Sequence, residues 1–94
     1  MIFDFDPVKS AANKADHQID FLEAQALWLD ADRIEVPARS TTESRVLVIG
    51  RIGQTFWTAV VTYRYEDIIR LISVRRARDR EIAWYFDAAT DRRR

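Results

Sequence analysis

The sequence predicts an α+β fold: a small antiparallel β-sheet with two N-terminal helices and one C-terminal helix. Three observations carry that expectation. Trp57, Ala59, Val61 and Tyr63 alternate with Phe56, Thr58, Val60, Thr62 and Arg64, the period of a strand, and Ile68 to Arg75 continues the pattern after a polar turn. Two helix starts precede the strands, Asp6-Pro7 and Asp20 with Glu23 three residues on. Ile82, Tyr85, Phe86 and Ala89 recur at helical spacing near the C-terminus. This order predicts helices gathered on one face of the sheet.

Each element has its own signal. Ile2, Phe3 and Phe5 make a short strand. Asp6 then caps a helix whose first position is Pro7, where the missing N–H costs nothing, and this helix is expected to run to about Asp16. Asp20 opens a second helix with an apolar stripe of Phe21, Ala24, Leu27 and Trp28, closed by Asp30 and Asp32. Ile34 and Val36 alternate with charged residues as an edge strand ended by Pro37, and Ala38 to Ser44 reads as loop. Arg45 to Arg51 is apolar with little alternation, as in the middle of a sheet, and Gly53-Gln54 turns the chain into the hairpin.

The hairpin register decides which side chains share a face. The turn has neither Gly nor Asn for a two-residue loop, so a four-residue loop, Tyr65 to Ile68, is expected. Thr58 then faces Arg75, Val60 faces Ser73, Thr62 faces Leu71 and Arg64 faces Ile69. One face is apolar, with Ile72 and Val74 beside the Trp57 row, broken by Arg70 and Arg76. The other holds Thr58, Thr62, Arg64, Ser73 and Arg75 among Phe56, Val60, Ile69 and Leu71. A final helix is expected from Ala77 to about Ala89, with residues 91–94 as a disordered tail.

Composition narrows the function. The 94 residues suit one domain, residues 1–94, and no apolar run is long enough to span a membrane. No signal peptide is visible at the acidic N-terminus, which suggests the cytoplasm. With no cysteine and one histidine, thiolate chemistry is excluded, a structural zinc site is disfavoured and no cofactor is expected. Residues 1–44 hold nine acids and four bases, residues 45–94 eleven arginines and six acids, so a basic half follows an acidic one. Arginine's planar fork suits bidentate phosphate contact and stacks on bases, although a merely dipolar protein has the same balance.

A few residues carry candidate chemistry. His17, between the first two helices, is the one histidine of the chain, and is either an acid–base group or a helix-end cap. Arg64 and Arg75 share the polar face about 20 Å apart, at roughly 3.3 Å per residue. They fit successive phosphates of an extended strand, or pair with acids such as Glu43 and Glu81. As exposed arginines they would be replaceable at little cost in stability. Glu43 and Arg45 point to one face at the head of a strand. GxSxG, P-loop and dinucleotide motifs are absent, and acids do not cluster in the basic half. Metal-free RNA cleavage remains, in which the 2′-OH is the nucleophile and arginine stabilises the pentavalent phosphate, or a purely binding role.

Taken together, the motifs resemble the BrnT toxins of bacterial type II toxin–antitoxin systems. The N-terminal run FDFDPVKSAANKADHQIDFLEA matches that family's signature at Phe3, Asp6, Pro7, Lys9, Asn13, His17, Phe21, Glu23 and Ala24. Glu43, Arg45, Ile49 and Gly50 match one strand, and Val60, Thr62 and Arg64 the next. RLISVRRA supplies Arg70, Ile72, Ser73, Arg75 and Ala77, and the last helix Arg80, Glu81 and Tyr85. Asp16 and Gln18 depart from the family's Lys-His-Gly-Val around His17, and Val61 from its usual Tyr or His.

The resemblance implies a RelE-like fold and a ribonuclease that blocks translation. It also implies silencing by a ribbon–helix–helix antitoxin, BrnA-like, that brings the DNA-binding domain. Its implied catalytic set is His17, Arg64, Arg75, Glu43 and Arg45, with Lys9, Arg70, Arg76, Arg80 and Tyr85 contacting RNA. The antitoxin is expected to cover the Arg64–Arg75 face, with Phe56, Val60, Ile69 and Leu71 as apolar contacts. The second reading is a toxin fold without activity that acts with its antitoxin as a corepressor.

Overall fold

Asp6 caps the first helix as the sequence predicts: its carboxylate accepts from the Val8 N–H at 2.8 Å, with Pro7 at the first position. In a computed structural model, which describes residues 1–39, 44–65 and 67–92, the elements are β1 (Ile2–Asp4), α1 (Pro7–His17), a 3₁₀ segment (Glu23–Leu29), β2 (Ile34–Ala38), β3 (Arg45–Ile52), β4 (Thr55–Arg64), β5 (Ile68–Arg76) and α2 (Asp79–Arg92). α1 ends at Gln18, whose φ of 67° and ψ of 20° are left-handed. Glycine adopts that conformation freely, so glutamine there costs up to about 1 kcal/mol.

The five strands form one sheet in the order β1-β5-β4-β3-β2. It is mixed, because β1 pairs parallel to β5 while the other pairs are antiparallel, and this corrects the expectation of an antiparallel sheet. The second N-terminal helix is also corrected. Asp20 and Glu23 do form the reciprocal capping box, with bonds of 2.7 and 3.1 Å, but the segment that follows is seven residues of 3₁₀. β2 lies at the edge and continues one residue past Pro37, and β3 runs inside the sheet as expected. α2 continues through Arg92, where a tail was expected, and Arg92 donates to the Ala31 and Asp32 carbonyls. Arg93 and Arg94 lie outside the described residues.

The hairpin register agrees with expectation at one end and slips at the other. Thr58 faces Arg75 and Val60 faces Ser73, but Thr62 faces Arg70 and Arg64 faces Ile68. A bulge between Val60 and Val61 leaves Ile72 without a partner, and the loop is three residues, Tyr65 to Asp67. The slip exchanges faces. Ile69 and Leu71 join Trp57, Ala59, Val61 and Val74 in the core, and Arg70 moves to the polar side. The apolar and polar faces come out purer than the unbulged register allows.

Helices cover both faces, which corrects the one-sided arrangement. The segment from Ile19 to Trp28 packs its buried Phe21, Ala24, Leu27 and Trp28 on the Val48–Ala59–Val74 face. α2 lies on the other face, where Tyr85 packs edge-on against Phe56 with ring centroids 5.2 Å apart. α1 runs along the edge of β5 that β1 leaves open, and Asn13 completes that edge. Its amide donates to the Val74 carbonyl at 2.9 Å and accepts from the Val74 N–H at 3.1 Å, as a neighbouring strand would.

Candidate active site

Because α2 covers only the Ile49–Phe56–Thr58 part of its face, the remainder stays open. There the strand period and the bulge together aim Thr62, Arg64 and Arg70 outward on one side. Arg45 at the start of β3, Ile72 and Lys9 of α1 join them around a hollow of about 190 Å³. Four cations thus surround one small space. Asp4, opposite Arg70 on β1, bonds the Arg70 guanidinium at 2.7 Å. The chemistry suits an anion with several oxygens.

Beyond the Arg75 end of this face, at the sheet edge where α1 ends, a hollow of about 400 Å³ is bounded by Asp16, His17, Gln18, Arg75 and Arg76. His17 is the last residue of α1, and the left-handed turn at Gln18 holds it there. Arg75 is fixed from beneath. Glu81, whose side chain is 1% exposed, receives Nη1 at 2.8 Å and Nη2 at 2.9 Å, and also accepts from the Thr58 hydroxyl and the Arg78 N–H. The Arg78 bond is the N-terminal cap of α2. Burial alone pushes the Glu81 carboxyl up, but Arg75, the Arg78 amide and Thr58 outweigh it and bring the pKa down to about 2.

This settles one alternative left open by the sequence: Arg75, itself part-exposed, is paired with the buried Glu81 carboxylate. The pairing leaves part of the fork unused. Nη1 is spent on Glu81 and on the Arg76 carbonyl at 3.2 Å, whereas Nε and the second Nη2 hydrogen have no partner among the described residues. Those two donors lie along one edge of the fork, the geometry for a bidentate contact with an oxyanion. The ready replacement of Arg75 expected from sequence is therefore corrected. Its loss would strand the Glu81 charge, at about 3 to 5 kcal/mol.

The other expected site residues disperse. Arg64 and Arg75 stand at opposite ends of the face, as the register predicts. Arg45 joins Arg64, but Glu43 lies outside the described residues. Arg76 turns to the opposite face and sits 5.0 Å over the Trp57 ring. Tyr85 is 3% exposed, and its hydroxyl donates to Asp30 at 2.9 Å. Burial first, then Asp30, pushes that phenol up to about 12, so it stays protonated. Tyr85 thus tethers α2 to the end of the 3₁₀ segment rather than facing the open surface. A larger hollow, about 610 Å³, lies on the other face between Met1, Trp28, Arg33, Glu35 and Tyr63, away from both cationic hollows and with acids and bases mixed. Among the described residues no three His, Asp or Glu side chains converge as a metal would require.

Sequence reasoning placed Thr58 opposite Arg75 but missed its bond to Glu81, the Asp4–Arg70 pair and the docking role of Asn13. Asp4 becomes visible once the β1–β5 register is known, because it faces Arg70.

Compared with known families, residues 5–81 match the model of the ribonuclease toxin BrnT of type II toxin–antitoxin systems. The chain belongs to this family. All the residues that line the two hollows fall within the stretch that matches BrnT. A BrnT protein is a ribonuclease toxin, and a type II system supplies it with an antitoxin. A search of curated proteins finds no match.

Proposed function

We propose that the protein is a metal-independent endoribonuclease, one toxin domain of RelE-like fold over residues 1–94, that acts in the cytoplasm and blocks translation. The observation that carries this reading is the open sheet face, with the Lys9–Arg45–Arg64–Arg70 hollow at one end and His17 beside Arg75 at the other. An extended RNA strand laid across it meets phosphate donors along its length. The free edge of Arg75 takes the scissile phosphate, the 2′-OH attacks phosphorus as His17 takes its proton, and the P–O5′ bond breaks to leave a 2′,3′-cyclic phosphate and a 5′-hydroxyl that receives a proton. A ribbon–helix–helix antitoxin silences the enzyme and provides the DNA contact. No helix among the described residues is long and apolar enough to cross a membrane.

The test is cleavage of single-stranded RNA by purified protein in EDTA. Activity is expected to persist, and to fall strongly in Arg64→Ala. That variant should flatten the salt dependence of RNA binding by about one unit of slope and change stability by no more than about 0.5 kcal/mol. Loss of activity in EDTA with recovery in Mg²⁺ would overturn the metal-free reading. One observation favours a second reading, an inactive fold acting as corepressor with its antitoxin: Asp16 puts an acid in the His17–Arg75 hollow. Full growth arrest on induction, abolished by Arg64→Ala, speaks against it.

A further inference from the structure

α2 turns Glu81, Tyr85 and Ala89 inward, and this fixes where its other side chains lie. Phe86 falls on one flank and meets Phe56, with ring centroids 5.6 Å apart. Phe56 lies two residues from Thr58 toward the β3–β4 turn, so the opposite flank of α2 overlooks the rows on the far side of Thr58. Those rows hold Leu47, Val60 and Ser73 and lead to Thr62 and Arg70. Arg80 and Trp84, four residues apart, occupy that flank.

Trp84 is 40% exposed, whereas Trp28 and Trp57 are 8% and 7%. The Arg80 guanidinium lies 5.8 Å from its ring centroid. A large aromatic ring held by a cation at the edge of a cationic, half-apolar floor has the make-up of a base-stacking platform. Four residues separate Thr58, beneath α2, from Thr62 in the cationic hollow, about 13 Å at roughly 3.3 Å per residue. That is the span of about two nucleotides of an extended strand. Trp84 lies beyond the stretch that matches the BrnT family, whereas Arg80 lies within it.

We infer that Trp84, backed by Arg80, is a stacking platform for a nucleobase of the single-stranded RNA whose phosphates run toward Arg64. The inference rests on the RNA reading above, and its test separates the two. The probe is a short single-stranded 2′-O-methyl RNA, which cannot be cleaved, beside an abasic oligomer of equal length. Trp84→Ala should weaken binding of the RNA roughly 5- to 150-fold, as for one lost stack. The salt slope and the affinity for the abasic oligomer should stay unchanged, because no phosphate contact is removed. Trp84→Phe should retain most of the affinity, and RNA should quench the exposed indole. Equal binding by wild type and Trp84→Ala, with Arg64→Ala still impaired, overturns the platform and leaves the RNA reading intact. If neither the wild type nor any variant binds RNA, the RNA reading fails and the platform with it. A Trp84→Ala protein that keeps its RNA affinity but loses its protein partner overturns the platform and gives the surface to that partner.

Discussion

At the scale of single residues, Glu81 joins stability to chemistry. One buried carboxylate holds the Arg75 fork, the Thr58 hydroxyl and the Arg78 N–H just ahead of α2. Its folded pKa of about 2 lies below its ordinary 4.5. A depressed carboxylate contributes stability that is fully present above the unfolded value and is lost as pH falls through the folded one. Acidification from 4.5 to about 2 should therefore remove about 3 kcal/mol, at about 1.36 kcal/mol per unit. Glu81→Gln should be less stable at neutral pH and show a flatter acid limb in that window. Urea denaturation of both proteins across that range checks it, and parallel limbs would disprove the assignment. The Arg75–Glu81 pairing was legible in the sequence as one of two options. Which one holds depends on burial, and burial is set by the register and by α2.

At the scale of elements, Asn13 joins α1 to β5. Its side chain makes three bonds, to the Ile19 carbonyl at 2.8 Å and to both backbone groups of Val74. Asn13→Ala leaves those buried groups unpaired, and at the lower end of the range, about 1 kcal/mol each, the expected loss is about 3 kcal/mol. Urea unfolding measures the total, and amide exchange at Val74 localises it. A change within about 0.5 kcal/mol would show that water replaces the side chain without cost. The sequence marks Asn13 only through its family motif, because side-chain docking on a distant strand has no local periodicity. The bulge at Ile72 was illegible for a similar reason. No glycine marks it, and the pairs Ile68-Ile69 and Leu71-Ile72 on either side of Arg70 support either register until the core selects the one that buries Ile69 and Leu71. Caps and strand alternation are local signals, and these were read correctly.

At the scale of the whole molecule, charge and topology decide what a partner can cover. The sequence made the basic half visible but not the division of faces, because the burial of Ile49 under α2 is written in no local pattern. Phe56, Ile69 and Leu71, expected as apolar contacts for the antitoxin, are taken up by the packing under α2 and by the core. Val60, Leu47 and Ile72 are only partly buried and lie on the open face among the cations. An acidic amphipathic segment fits that floor. Long-range attraction speeds its arrival, and the apolar strip slows its departure. The antitoxin is accordingly expected to lie across the open face, compete with RNA, and lose association rate as salt increases. Hydrogen exchange on the complex should then protect the outward edges of β3, β4 and β5 around residues 45–47, 60–64 and 70–73. Protection confined to α1 and the 3₁₀ segment, with RNA still able to bind the complex, would place the antitoxin elsewhere and leave inhibition to some route other than competition.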